Sequence, residues 1–162
     1  GGRAHYGLSA MEAILHDIGF VPVTLTVGAA YVGYFVASTM ALVSMAVAPN
    51  EQWTVDFAAY TVFVTSDLHF ILTATGYAFI KDYEHAPVDP VWLFLFADYI
   101  QAGALGATFG CYLLDNTNRT APIVGNVVTM LTQLICFWKT YSLVTDVWTG
   151  RRDARTGEKL KL

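Results

Sequence analysis

Four apolar stretches of bilayer-spanning length leave this chain few ways to fold. Phe20 to Ala48 carries no charged side chain. Trp53 to Ile80, Val91 to Leu114 and Ala121 to Trp148 each carry only one to three Asp, His or Lys residues. About 20 apolar residues suffice to cross the hydrocarbon core. Only 14% of the 162 residues are charged, against roughly 25% in an ordinary soluble domain. The predicted class is therefore all-α, an integral membrane four-helix bundle, with spans at about 20–48, 53–81, 90–114 and 121–148. What remains is an N-terminal segment, 1–19, and a basic C-terminal tail, 150–162. That leaves no length for a separate soluble domain, and the composition points to a lipid bilayer as partner and to no nucleic acid.

Local punctuation supports these bounds. Ser9-Ala-Met-Glu12 reads as a capping box and Gly19 as a helix stop. Between them Leu8, Met11, Ile14, Leu15 and Ile18 form an apolar face opposite Glu12, His16 and Asp17. This predicts a short interfacial amphipathic helix ahead of the first span. Pro22 suits a first helical turn, and Pro49-Asn50 ends that helix. Asp89-Pro90 opens the third span, and Asp115 to Thr120 reads as a turn.

Charge sets the orientation. Four spans put both termini and the loop after the second span on one side. Of the nine Lys and Arg residues, eight fall on or nearest that side, five of them in the tail, and Arg119 alone lies opposite. The positive-inside rule then places both termini on the cytoplasmic, matrix or stromal face. A bacterial or mitochondrial inner membrane is the expected location. The basic tail can also rest on anionic lipid, so bound lipid is expected. Cys111 and Cys136 lie at depths roughly 20 Å apart, too far for a disulfide. No metal-ligand spacing is present.

Small residues recur on two spans. Ala29, Gly33, Ala37 and Ala41 form a stripe on the first, and Ala102, Gly106 and Gly110 on the third. Such stripes allow close helix approach in lipid, so the first and third helices are expected to pack on each other.

The candidate site is a layer of polar groups at one depth. With about 1.5 Å of rise per residue, Asp67 and Gln101 fall near the midplane, His69 and Asp98 within roughly 5 Å of it, and Gln133 close by. Ionisable groups are costly there and usually have a partner or a task. Residues two apart on a helix differ by about 200°, so Asp67 and His69 face nearly opposite ways. One is expected to face the bundle, and the other a partner, a cofactor or another subunit.

Several chemistries suit that layer. His69 is a candidate ligand for haem iron or chlorophyll magnesium, though no second His lies within a span. Asp67, Asp98 and His69 suit a proton or ion path, which makes a small coupled transporter or channel the runner-up function. The plainest reading is that these groups hydrogen-bond between helices and fix their register. The chain lacks the motifs of nucleophilic, phosphate-binding, dinucleotide-binding or zinc catalysis.

At the inner end of the second span lies Asp82-Tyr83-Glu84-His85, with Tyr83 fourteen residues after His69. A span His followed by Asp-Tyr at the boundary is distantly similar to the membrane anchors of succinate dehydrogenase. The resemblance covers about fifteen residues, its spacing is longer by two, and those anchors have three spans rather than four. It implies haem ligation at His69 and quinone contact at Tyr83; Tyr83 otherwise reads as an interfacial anchor. The leading expectation is a non-catalytic multi-pass subunit of a larger membrane complex, of an energy-transducing kind such as a respiratory or photosynthetic electron-transport assembly.

Overall fold

The computed structural model describes residues 14, 17–81 and 88–161, with side chains outside 74–95. Four helices account for most of the chain: α1 (Phe20–Val47), α2 (Gln52–Lys81), α3 (Val88–Leu114) and α4 (Thr120–Trp148). At about 1.5 Å per residue each is roughly 40–45 Å long. Helices α1 and α4, and the Gln52–Thr73 part of α2, are long and apolar enough to cross a membrane. Among the described residues there is no β-strand, only an isolated bridge between Arg152 and Lys159. The amphipathic helix expected within 1–19 lies outside the described residues, apart from helical Ile14, Asp17 and Ile18.

Short turns make sequential helices neighbours. Helix α4 returns along α1, its main packing partner, and α2 also touches α4 across the centre. Helices α1 and α3 are the opposite corners of this arrangement and do not pack on each other among the described residues. The expected α1–α3 contact is therefore corrected. Most of its small residues face outward: Ala29, Gly33, Ala102 and Gly106 are exposed, and Ala37 and Gly110 half-buried, while Ala41 is buried against Val55 and Ala58 of α2. A Cβ added at Gly33, Gly106 or Gly110 would meet nothing within 4 Å. Close approach occurs elsewhere. A Cβ at Gly28 would come within 3.0 Å of Thr140, and one at Gly125 would run into Thr108 and within 3.0 Å of Val62.

The packing is polar within and apolar without. Ser38, Thr54, Ser66, His69, Gln101, Asn126, Thr129 and Gln133 are fully or almost fully buried, while Met40, Val64, Leu131 and Phe109 stand on the exterior. Water would not drive that distribution, since burying polar groups costs free energy unless they are bonded; a hydrocarbon surrounding favours it. Many of the hydroxyls are satisfied within their own helix. Thr65 donates to the Thr61 carbonyl, Thr129 to that of Gly125 and Thr140 to that of Cys136. Apolar clusters fill the levels between: Ala41, Met45, Val55 and Ala58 toward one end, and Phe20 with Leu143 at the other.

The ends are tied by long-range bonds. Arg119 Nη2 donates to the Met45 carbonyl at 3.2 Å and Thr54 Oγ1 at 3.3 Å, so a cation serves the C-terminal end of α1. Asp115 turns the chain between α3 and α4; hydrogen bonds from the Thr117 hydroxyl and backbone N–H hold its carboxyl below the usual carboxylate range. At the other end the tail folds back. The Phe20 and Val21 N–H groups, unserved within α1, donate to the Arg155 and Ala154 carbonyls at 2.8 and 3.3 Å. Gly157, at φ +74°, lies against the Phe20 ring, where a Cβ would collide. Arg152 is buried beside Asp146 and donates to the Gly157 carbonyl at 2.8 Å. Burial lowers its pKa from the ordinary value, and the Asp146 carboxylate pulls the other way.

Candidate functional site

Helices α3 and α4 each bring one polar group to His69 of α2. The imidazole is completely buried, and Gln133 of α4 lies on its Nδ1 side, with Nε2 at 3.2 Å and Oε1 at 3.4 Å. On the opposite side His69 Nε2 lies 3.2 Å from Asp98 Oδ1 of α3, an ion-pair distance, yet too poorly aligned for a hydrogen bond. The shorter contact assigns Gln133 Nε2–H as donor to Nδ1. That assignment leaves the ring proton on Nε2, facing the carboxyl. From α1, Tyr31 stands beside the imidazole at a centroid distance of 5.6 Å.

One turn away, Gln101 forms a second junction. Its Nε2 donates to Ser66 Oγ at 2.9 Å and Thr129 Oγ1 at 2.8 Å, and its Oε1 accepts from Thr132 at 2.8 Å. Both amide protons and the carbonyl are thereby engaged. Further along, Asn126 Nδ2 donates to the Ala58 carbonyl at 2.9 Å and the Pro122 carbonyl at 2.8 Å, bonding α4 to α2.

The structure thus brings together His69, Asp98 and Gln133, with Gln101 in the adjoining junction. It does not bring Asp67 to them. Asp67 is exposed on the outer surface of α2, midway along it, and forms no hydrogen bond or ion pair among the described residues. Tyr83 lies outside the described residues. Ser66, Thr129, Thr132 and Tyr31 belong to the layer although the sequence reading passed over them. For α4 a signal existed: Gly125, Asn126, Thr129, Thr132, Gln133, Cys136 and Thr140 recur at helical spacing and form its buried face.

The chemistry this arrangement permits is limited. Among the described residues the polar partners of His69 are an amide and a carboxyl, not a hydroxyl or thiol nucleophile. Among the described residues, no group of three or more His, Cys, Asp and Glu side chains could hold a metal. As a haem or chlorophyll ligand His69 does not fit, because both ring nitrogens face protein groups and no surface of the ring is open. Among the described residues, one cleft of about 350 Å³ lies between Met40, Val43, Val47 and Trp53, and another of about 280 Å³ between α3 and α4 beside Gly103, Ala107 and Val124. What the layer can do is hold three helices in register and keep a proton between an imidazole and a carboxyl.

No family profile, curated protein or solved structure matches this chain.

Proposed function

We propose that the chain is a non-catalytic, multi-pass subunit of a larger membrane complex. In this reading all four helices cross the bilayer, and both termini lie on the cytoplasmic, matrix or stromal side. The polar layer then serves as internal register: Gln101 bonds Ser66, Thr129 and Thr132, Asn126 Nδ2 bonds the Ala58 and Pro122 carbonyls, and Gln133 bonds His69, so most of their bonding capacity is spent between the chain's own helices. One observation carries the assembly part. Asp67 faces outward halfway along a spanning helix, without a partner among the described residues. An Asp at the centre of a spanning helix costs about 2.5–3.5 kcal/mol on insertion scales, and such groups characteristically face protein or water rather than lipid. A neighbouring subunit relieves that cost.

The test is a native mass measurement on the chain extracted from its own membrane in mild detergent. The expected result is a stoichiometric assembly with at least one other polypeptide. Recovery as a monodisperse single chain, stable and alone, overturns the reading.

A proton-coupled carrier is the second reading, and the His69–Asp98 couple favours it, since the pair joins two ionisable groups midway along the bundle. Asp67 takes no part in it, because it faces away from that interior. Proteoliposomes of the purified chain would then conduct protons and lose conductance on Asp98→Asn. The subunit reading expects no flux from either.

A further inference from the structure

We infer that the outer groove between α2 and α3 is the docking surface for a transmembrane helix of a different subunit, one that presents a Lys, Arg or His side chain opposite Asp67. This rests on the subunit reading above and specifies its partner. Two independent features of the groove lead to it.

The first is where Asp67 stands. On α2 it shares its face with Asp56 and Tyr60, eleven and seven residues back, and that edge leans on α3. Asp56 Oδ1 accepts from Tyr112 of α3 at 3.0 Å, and the Tyr60 and Tyr112 rings lie 6.1 Å apart. Asp67 therefore lines the α3 side of α2, flanked by exposed Tyr60 and Val64. It lies about 22 Å along the helix from either end, beyond the reach of headgroups for so short a side chain.

The second is what α3 offers at that level. Cross-helix contacts fix an antiparallel register: Ser66 meets Gln101, and Phe63 meets Phe109. Asp67 is thus level with the turn from Ala102 to Gly106. Ala102 and Gly106 are exposed, and Gly106 and Gly110 have open space where a Cβ would stand. Small residues let a neighbouring helix approach closely. The same groove therefore holds a flat floor for a helix and a carboxyl that needs a counter-charge.

Charge complementarity selects the occupant. Lipid tails supply no donor. Among the described side chains, a second copy inserted the same way would bring the exposed Tyr99 hydroxyl near this depth; its Lys139 stands six residues beyond Gln133, roughly 9 Å along α4 from the His69 level, and the other Lys and Arg residues lie at helix ends, in loops or in tails. A hydroxyl does not balance a carboxylate. A basic side chain on another subunit does, and a buried, well-paired couple tolerates low dielectric where a single charge does not.

The experiment uses the full chain in its native membrane, with a photo-crosslinking residue at Val64, and at Met40 and Leu131 as controls on the outer faces of α1 and α4. Val64 is expected to form an adduct with a different polypeptide, and the controls are not. Adding Asp67→Asn is expected to lower that adduct by about tenfold or more, because the amide leaves the partner's cation unpaired. Asp67 makes no bond among the described residues, so the helical content of the variant should match the parent. An adduct with a second copy overturns the heterologous partner, and an undiminished adduct in the Asn variant overturns the cation. If Val64 marks only lipid while native mass still shows an assembly, this groove is not the interface and the subunit reading survives. If no assembly is seen either, both fall.

Discussion

At the scale of single residues, free space beside a glycine decides what substitution does. Gly125 and Gly106 are both helical, and alanine gains about 0.5–1 kcal/mol over glycine in a helix interior. At Gly125 that gain is outweighed, because the new Cβ meets Thr108 and Val62 where α4 crosses α3 and α2. Overpacking of this kind costs about 1–3 kcal/mol. Gly125→Ala should therefore lower the melting temperature of the detergent-solubilised chain, and Gly106→Ala should hold or raise it. Equal shifts in the two thermal melts would refute the packing assigned to α4. Gln101 tests the polar layer in the same way. Replacing it with Leu removes three bonds, yet Thr129 and Thr132 keep their bonds to the carbonyls of Gly125 and Val128. Only Ser66 then loses its side-chain partner, so the loss should be about 1–3 kcal/mol, in line with three interhelical bonds at an average of roughly 0.6 kcal/mol each. A loss beyond that range in denaturant titration would mean the layer is cooperative. Some of this was legible beforehand. Helical phase alone requires Asp67 and His69 to diverge, because two residues turn the helix by about 200°. Which of them faces inward depends on Gln133 and Asp98 from other helices, and one helix's sequence carries no such information.

At the scale of elements, the helix ends follow from Pro, Gly and charge, but their caps do not. Gly19 precedes α1 at φ +94°, and the apolar run ends at Pro49-Asn50. That the start of α1 is served by carbonyls from residues 154 and 155 is a contact across nearly the whole chain, and no local pattern announces it. The tail holds its shape partly through Asp153, whose carboxylate accepts from the Thr156 and Arg155 N–H groups. The Thr156 N–H bond, foremost, holds this carboxyl below its usual range. A carboxyl lowered in the folded state contributes stability above its unfolded pKa, near 3.9, and that contribution disappears as pH falls through the lowered folded value. The tail should thus stay docked at pH 5 and loosen only in stronger acid. Amide exchange at Phe20 and Val21 reads this directly. Asp153→Asn should raise exchange there at neutral pH and flatten its acid dependence; unchanged exchange would detach Asp153 from the docking.

For the whole molecule, a stripe of small residues shows that a helix can be approached closely but not by what. Ala29-Gly33-Ala37 and Ala102-Gly106-Gly110 lie on helices that short turns place at opposite corners, so each faces outward. The charge asymmetry carries a different kind of whole-chain information, because it acts during insertion rather than through contacts. Arg119, on the minority side, is already engaged with the end of α1 and Thr54. Arg155, Lys159 and Lys161 are exposed at the other end. Orientation should accordingly depend on the tail, and end-to-end stability on Arg119. Single cysteines placed by Thr117→Cys and Lys161→Cys, in a chain carrying Cys111→Ser, distinguish the two sides. In right-side-out vesicles an impermeant maleimide should label position 117 at once and position 161 only after permeabilisation. Replacing Arg151, Arg155, Lys159 and Lys161 by Gln should produce a mixed population in which both positions label, since orientation follows the Lys and Arg balance within about 15–20 residues of the spans. Arg119→Gln should leave labelling unchanged while lowering the melting temperature, because it releases the α1 carbonyl without altering the side that holds the positive excess. Inverted labelling of the parent chain would overturn the topology, and with it the assignment of the tail to the inner face.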